Sequence, residues 1–424
     1  MQQLNRIPYA RFLIMALTSA LILIVGVIAA PILPSIGQSH SGIFEQVWQT
    51  VNDDFYDPNF NGVSWTDIKA RYEPLANQAQ SQAEFAQIVN QMLDELNVSH
   101  THFYIPEDPA YYQLAGIFLT VIPETRQRLE SYLLDGKPQY SGIGLFTVQH
   151  TDGRFVKAVL DGSPAAAAGV LVGDRLISVD GQPFHPINSF SEKAEQPLTL
   201  LVQRSPEQQV ELTVTPQLFD GTEMFLDAMQ ASIEVIERDG RQIGYAHLWS
   251  YAGEQIHEAL KAELSYGQLK DVDSFILDLR DGWGGASPAY LNLYAPYNLG
   301  ITADTRDRPP VTSNSAWSKP VVMLVNEGSR SGKEILAYGF RQYGIGPVVG
   351  TKTAGAVVGG TLRVMDDGSI LYLAYADVQV EGVRLEGVGV EPDIEVPFSL
   401  EYAQGADPQK ERAIAVALAA VNQP

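Results

Sequence analysis

The chain carries two uninterrupted apolar runs, Ser274-Phe275-Ile276-Leu277-Asp278-Leu279-Arg280 and Pro320 to Asn326, and each of them leads into a glycine-containing turn. A strand without polar alternation is buried on both faces, which implies a sheet covered by helices on either side. The pattern of strands and helices around these runs agrees: Ile243 to Leu248 reads as a strand, Gly253 to Ser265 as a helix, and Ser331 to Tyr343 as another helix. Strands that alternate with helices in this way predict an α/β layer.

The 424 residues leave room for two or three domains. There are 50 acidic and 28 basic residues, giving a formal charge of −22, a field that repels polyanions and excludes nucleic acid as an expected partner. The absence of cysteine removes thiol nucleophiles, disulfides and thiolate metal sites. Any catalysis must use oxygen or nitrogen groups.

Near the start, Phe12 to Ala30 is a 19-residue stretch without charge, preceded by Arg6 and Arg11. At about 1.5 Å per residue it reaches roughly 28 Å, enough to span the hydrocarbon core of a membrane. The flanking arginines predict a cytoplasmic N-terminus with the rest of the chain exported, periplasmic or extracellular. An uncleaved anchor is expected; cleavage after a small residue near Ala29 would instead release a secreted protein.

The remainder divides into four expected segments after an anchor at 1–37. Residues 38–105 show helical spacing (Phe44, Val47, Trp48, Val51; then Phe85, Val89, Met92, Leu96) and end in Ser99-His100. Residues 106–139 form a connecting segment of unclear pattern, with a short helix expected around Arg126 to Leu134. Residues 140–217 carry short β-runs and a helix at Pro164 to Ala168 stopped by Gly169, a compact β-rich module. Residues 218–424 hold the α/β layer.

Three segments could carry chemistry. Asp278 to Gly285 ends a strand in a glycine-rich turn, either a plain tight turn or a nest of N–H groups for an anion. Ser331 and Glu334 fit the S-x-x-E capping box, yet the same position puts a hydroxyl at a helix N-terminus, where the Gly332 N–H could stabilise an oxyanion. Ser99-His100 offers a histidine that is either a packing residue or the base a serine nucleophile needs. His100 and His102 could share a face as metal ligands, but no third ligand at a recognised spacing accompanies them.

Taken in order, these pieces resemble the S41 serine peptidases, the family of carboxyl-terminal processing proteases and the tricorn protease. The inserted module resembles a PDZ domain, with Ser141-Gly142-Ile143-Gly144-Leu145 as its carboxylate loop, then Gly162-Ser163-Pro164-Ala165 and Gly173-Asp174-Arg175-Leu176. The resemblance implies a crotonase-like α/β core, and binding of a peptide's free C-terminus at Gly142, Ile143, Gly144 and Leu145. One branch of the family pairs its serine with a lysine six residues after a Val-Val-Gly motif; here Val348-Val349-Gly350 leads to Ala356 at that position. The tricorn-like branch uses a histidine and a glutamate instead. By that resemblance Ser331 is the nucleophile, His100 the base, Glu386 its partner, and Ser99 a helper.

The oxyanion donors implied are the N–H groups of Gly332 and Gly284; Gly282 stands where the family usually has Asn. The expected activity is serine-type peptide hydrolysis of a protein or peptide with a free C-terminus, with no metal or cofactor. The rival is a PDZ-bearing scaffold whose core no longer hydrolyses anything.

Overall fold

The computed structural model describes residues 40–119, 121–294, 300–305, 308–314 and 317–422. The apolar segment at 12–30 lies outside them. Among the described residues no helix is long and apolar enough to cross a membrane.

Three helices open the described chain: α1 (His40–Asp54), α2 (Trp65–Ala76) and α3 (Gln82–Asp94). Each buries one stripe, Phe44, Val47 and Val51 on α1 and Phe85, Val89 and Met92 on α3. Ser81 begins α3 by accepting from the Glu84 N–H at 3.1 Å. The short strand β1 (His102–Tyr104) follows, with Phe103 turned into the helical cluster and its two neighbours facing the other way.

The segment 106–139, unreadable by periodicity, contains α4 (Pro109–Leu119) and α5 (Pro123–Leu129). In α4, Gln113 and Gly116 are buried along with Tyr111, Leu114 and Leu119, so no amphipathic stripe marks it. The helix expected at 126–134 stops at Leu129, where the chain tightens into two single 3₁₀ turns.

The β-rich module comprises β2 (Gln139–Gly142), β3 (Leu145–His150), β4 (Gly153–Val159), α6 (Pro164–Ala167), β5 (Arg175–Val179), β6 (Gln182–Pro183), β7 (Leu198–Ser205), β8 (Gln208–Val214) and β9 (Gln217–Asp220). Its sheet runs β3-β4-β5-β7-β8 with β6 on β5, while β2 pairs with β9 at the base. The first strand of that sheet begins at Leu145, because Ser141 and Gly142 belong to β2. Strand β3 is an edge, bonded on one side to β4.

The core continues with α7 (Met224–Ser232), β10 (Glu234–Arg238), β11 (Arg241–His247), α8 (Glu254–Ser265), β12 (Ser274–Asp278), the hairpin β13 (Gly300–Thr305) and β14 (Arg308–Asn314), β15 (Val321–Val325), α9 (Gly332–Gln342) and β16 (Val348–Gly350). Last come β17 (Val358–Val364), β18 (Ile370–Asp377), the small pair β19 (Gln379–Val380) and β20 (Val383–Arg384), β21 (Ile394–Glu395) and α10 (Pro408–Val421). The central sheet has the order β10-β11-β12-β15-β16-β21, parallel except for β10. Ile276, Val322 and Leu324 face α10, whereas Leu277, Met323 and Val325 face the cluster that contains Leu260, Leu336 and Phe340 of α8 and α9. Both apolar runs therefore pack on both sides, as their composition demands.

A second sheet, β1-β18-β17, ties the N-terminal helices to the core, with His102 opposite Tyr372 and Phe103 opposite Leu371. It carries β1, and hence the Ser99-His100 segment, to the carboxyl ends of β12 and β15, where open parallel sheets bind ligands.

Candidate active site

Ser331 is the residue where the chain turns from the β15 loop into α9. Its φ of 59° and ψ of −129° lie in a region that a non-glycine residue adopts only under constraint, at a cost of order 1–3 kcal/mol. The constraint is visible. The Ser331 N–H donates to the Ala356 carbonyl at 2.9 Å and to Glu334 Oε1 at 3.2 Å. Glu334, fully buried, also accepts from the N–H groups of Gly355 and Ala356, each at 2.7 Å, and from Thr353 Oγ1 at 2.6 Å. The capping residue is thus a hub that locks α9 to the 353–356 loop.

The turn after β12 packs directly on this serine. A Cβ on Gly284 would lie 2.4 Å from Ser331 Cβ, and one on Gly282 would lie 1.9 Å from the Trp249 carbonyl while φ there is +67°. Only glycine fits at Gly282 in this backbone. The N–H groups of Gly284 and Gly332 are both buried and, among the described residues, have no backbone acceptor. The turn and the serine loop are fastened by Asn326, whose Oδ1 accepts from the Asp281 and Gly328 N–H groups, and by Ser329 Oγ, which donates to the Leu279 carbonyl at 2.8 Å.

His100 is 4% exposed and sits 2.8 Å, Nδ1 to Oγ, from Ser99. Ser99 Oγ lies 2.9 Å from Glu386 Oε2, and its N–H donates to Glu386 Oε1 at 2.8 Å. The Val357 N–H adds a third donor to that carboxylate at 2.6 Å. Glu386 as a carboxylate only accepts, so the single Ser99 hydroxyl proton points to it and Ser99 Oγ must accept from His100 Nδ1–H. Nε2 then keeps its lone pair. Burial, assisted by the positive field of Arg330, lowers the His100 pKa to about 3, so the ring is neutral at physiological pH.

A cavity of about 290 Å³ brings together Ser331, His100, Gly284 and Gly332. Ser99 and Glu386 lie behind the imidazole. Among the described residues no hydrogen bond joins Ser331 Oγ to His100. The carboxylate loop lies elsewhere: Ile143 is buried in the β-rich module, its carbonyl accepting from the Ala165 N–H, and Gly144 has φ +79° against Ser163. Only Leu145 of the four reaches a second cavity, of about 650 Å³, lined by β3, His102, Trp283 and Arg330.

Some contributors escaped sequence reasoning. Lys333 is completely buried two residues after Ser331, and its Nζ donates to the carbonyls of Trp249 (3.1 Å) and Asp281 (2.8 Å), holding the glycine turn against α9. Arg280 turns away from the site to pair with Asp278 and with Asp407, the cap of α10. Ala356 replaces the alternative lysine and contributes only backbone.

Residues 242–396 match peptidase family S41, residues 37–94 the tricorn protease C1 domain and residues 155–214 a PDZ domain. By these matches the chain is similar to peptidase family S41. Similar proteins include tricorn protease homolog 1 of Streptomyces coelicolor, 28% identical over 401 residues that cover 90% of this chain and 35% of that one. The carboxyl-terminal-processing protease of a Synechocystis species is 25% identical over 384 residues, covering 86% and 82%. The chain thus spans about a third of the length of the tricorn homologues it matches. The solved tricorn protease shares the fold, with a TM-score of 0.53 at 19% identity over 91% of this chain and 37% of that one. The mature CPAF structure complexed with lactacystin does so as well, at 0.51 and 13% over 91% and 99%.

Proposed function

We propose that this S41 chain hydrolyses peptide bonds as a serine endopeptidase with Ser331, His100, Ser99 and Glu386 as its reacting set. The observation that carries the reading is the relay from Glu386 through Ser99 to His100, which leaves Nε2 free in the cavity that also holds Ser331. Ser331 Oγ attacks the scissile carbonyl as His100 Nε2 takes its proton. The oxyanion is received by the N–H groups of Gly332 and Gly284. His100 then protonates the departing amine, and water releases the acyl group by the reverse sequence. The Ser331–His100 hydrogen bond is expected to form around substrate, where such bonds commonly tighten.

The free edge of β3 and the Gly142 to Leu145 loop support a substrate held by its C-terminus, added as a strand to the module. The Arg6/Arg11-flanked apolar stretch supports placement of the catalytic part outside the cytoplasm, anchored or released. A fluorophosphonate adduct mapped by mass spectrometry tests the chemistry. Ser331 should be labelled in the native chain and not in His100→Ala; an unlabelled Ser331 in both, with a C-terminal peptide present, would favour the scaffold.

A further inference from the structure

The cavity around Ser331 has an otherwise apolar wall, with Leu114, Ile117, Phe118, Ile335, Val358 and Val378 among its lining. Among the described residues its lining includes no carboxylate, and Arg330 is its one charged side chain. Arg330, like Trp283, also lines the cavity along β3, so its side chain borders both spaces. It is only partly buried, with its Cζ 5.2 Å from the centre of the Trp283 ring. Among the described residues it has neither an acidic partner nor a hydrogen-bond acceptor, although the chain carries 50 acidic residues.

Two neutral polar groups flank it. His102 and Tyr372 are directly paired on β1 and β18, His102 lining the outer cavity and Tyr372 the inner one. Neither side chain has a hydrogen-bond partner among the described residues. A guanidinium with its donor fork unused, beside an imidazole and a phenol, matches the geometry and charge of a carboxylate. In a chain of net charge −22 it is a local exception to a field that otherwise repels such a group.

We infer that Arg330, aided by His102 and Tyr372, is a specificity residue that binds a substrate carboxylate beside the scissile bond. The carboxylate is either the free C-terminus of the peptide or an Asp or Glu side chain. The inference rests on the peptidase reading for its consequence in catalysis, but binding itself does not require it. That consequence follows from the charge: Arg330 holds the basicity of His100 down, and a carboxylate on the guanidinium offsets this field and returns basicity to the imidazole when substrate is in place.

The test measures binding to the full chain bearing Ser331→Ala, by calorimetry, with alanine–leucine heptapeptides of three kinds: C-terminal carboxylate, C-terminal carboxamide, and carboxamide with one internal Asp. At least one carboxylate form should bind about tenfold or more tightly than the plain carboxamide, as expected of a charge-assisted pair. Arg330→Gln should remove that difference, Arg330→Lys should keep part of it, and Arg330→Glu should reverse it in favour of a lysine-containing peptide. Preference for the free acid alone identifies a C-terminus, and preference for the internal Asp identifies a side chain. A preference that survives unchanged in Arg330→Gln belongs to another group, such as the PDZ loop or Arg154 in the cavity along β3, and overturns the assignment, as does its absence in the native Arg330 background. Fluorophosphonate labelling of the chain with Ser331 intact separates the two readings, since it reports the nucleophile whatever Arg330 does.

Discussion

Replacing Ser99 by alanine tests the relay more sharply than removing either end of it. The Ser99 hydroxyl makes two contacts, 2.8 Å to His100 Nδ1 and 2.9 Å to Glu386 Oε2. Its loss leaves Glu386 with the backbone donors of Ser99 and Val357, so the carboxylate stays fixed and the local fold survives. The His100 Nδ1–H, however, becomes a buried donor without an acceptor, which costs about 1–3 kcal/mol of stability. The catalytic cost is separate. When His100 takes the Ser331 proton it becomes an imidazolium in a site that disfavours charge, and the hydrogen bond that passes its charge toward Glu386 is worth about 2–3 kcal/mol. At about 1.4 kcal/mol per factor of ten, the acylation rate should fall roughly 30- to 140-fold. The assay is the second-order rate of fluorophosphonate labelling at neutral pH, which needs no substrate, beside a thermal unfolding curve. Labelling of Ser99→Ala at the native rate would refute the relay and leave Ser99 a packing residue.

Two further perturbations probe the other side of the nucleophile. In Gly284→Ala the new methyl would lie 2.4 Å from Ser331 Cβ and 2.7 Å from the Arg330 carbonyl, displacing either the serine or the oxyanion donor. Labelling should drop about 100-fold or more with the chain still folded, and a native rate would remove Gly284 from the site. Lys333→Met should change how stability depends on pH. Burial lowers the Lys333 pKa from 10.5 to about 7, so between those values the unfolded chain binds more protons and stability rises with pH. Urea titrations should show this rise, up to about 1.4 kcal/mol per pH unit, reduced in the variant; identical slopes would mean that the amine stays charged across the window.

The apolar runs at 274–280 and 320–326 and the N-terminal helices were legible because each buries a periodic or continuous apolar face. Helix α4 was not, since burial all round erases the stripe, and β17 and β18 were missed although β18 buries Ile370 to Ala374 as a continuous run. The individual catalytic candidates could be named from motif order, but their connections could not. Glu386 was expected to orient His100, and the structure places Ser99 between them. Glu334 reads in sequence as a helix cap, yet three of the groups that it holds come from residues 353–356, whose approach depends on the fold. Arg330 and Lys333 lie one and two residues from Ser331 and look alike in sequence. The fold sends one to the cavity and the other into the interior.

That divergence bears on which group can take the Ser331 proton. Ala356 occupies the position of the other branch's lysine, and its N–H and carbonyl are spent on Glu334 and on the Ser331 N–H. Lys333 is close in sequence, but its amine is committed to the Trp249 and Asp281 carbonyls. Of the polar side chains that line the cavity among the described residues, the Arg330 guanidinium only donates, and burial drives the Tyr372 phenol away from ionisation. His100 alone combines a neutral state with a nitrogen not used by its neighbours. Its depressed basicity would be a handicap in an empty site. Burial is the larger cause of that depression, and the part due to Arg330 is relieved once a substrate carboxylate neutralises it, so the residue that sets specificity also adjusts base strength. Arg330→Gln should therefore raise the basicity of His100 without substrate while abolishing carboxylate discrimination, a pair of changes that simple loss of a packing residue does not produce.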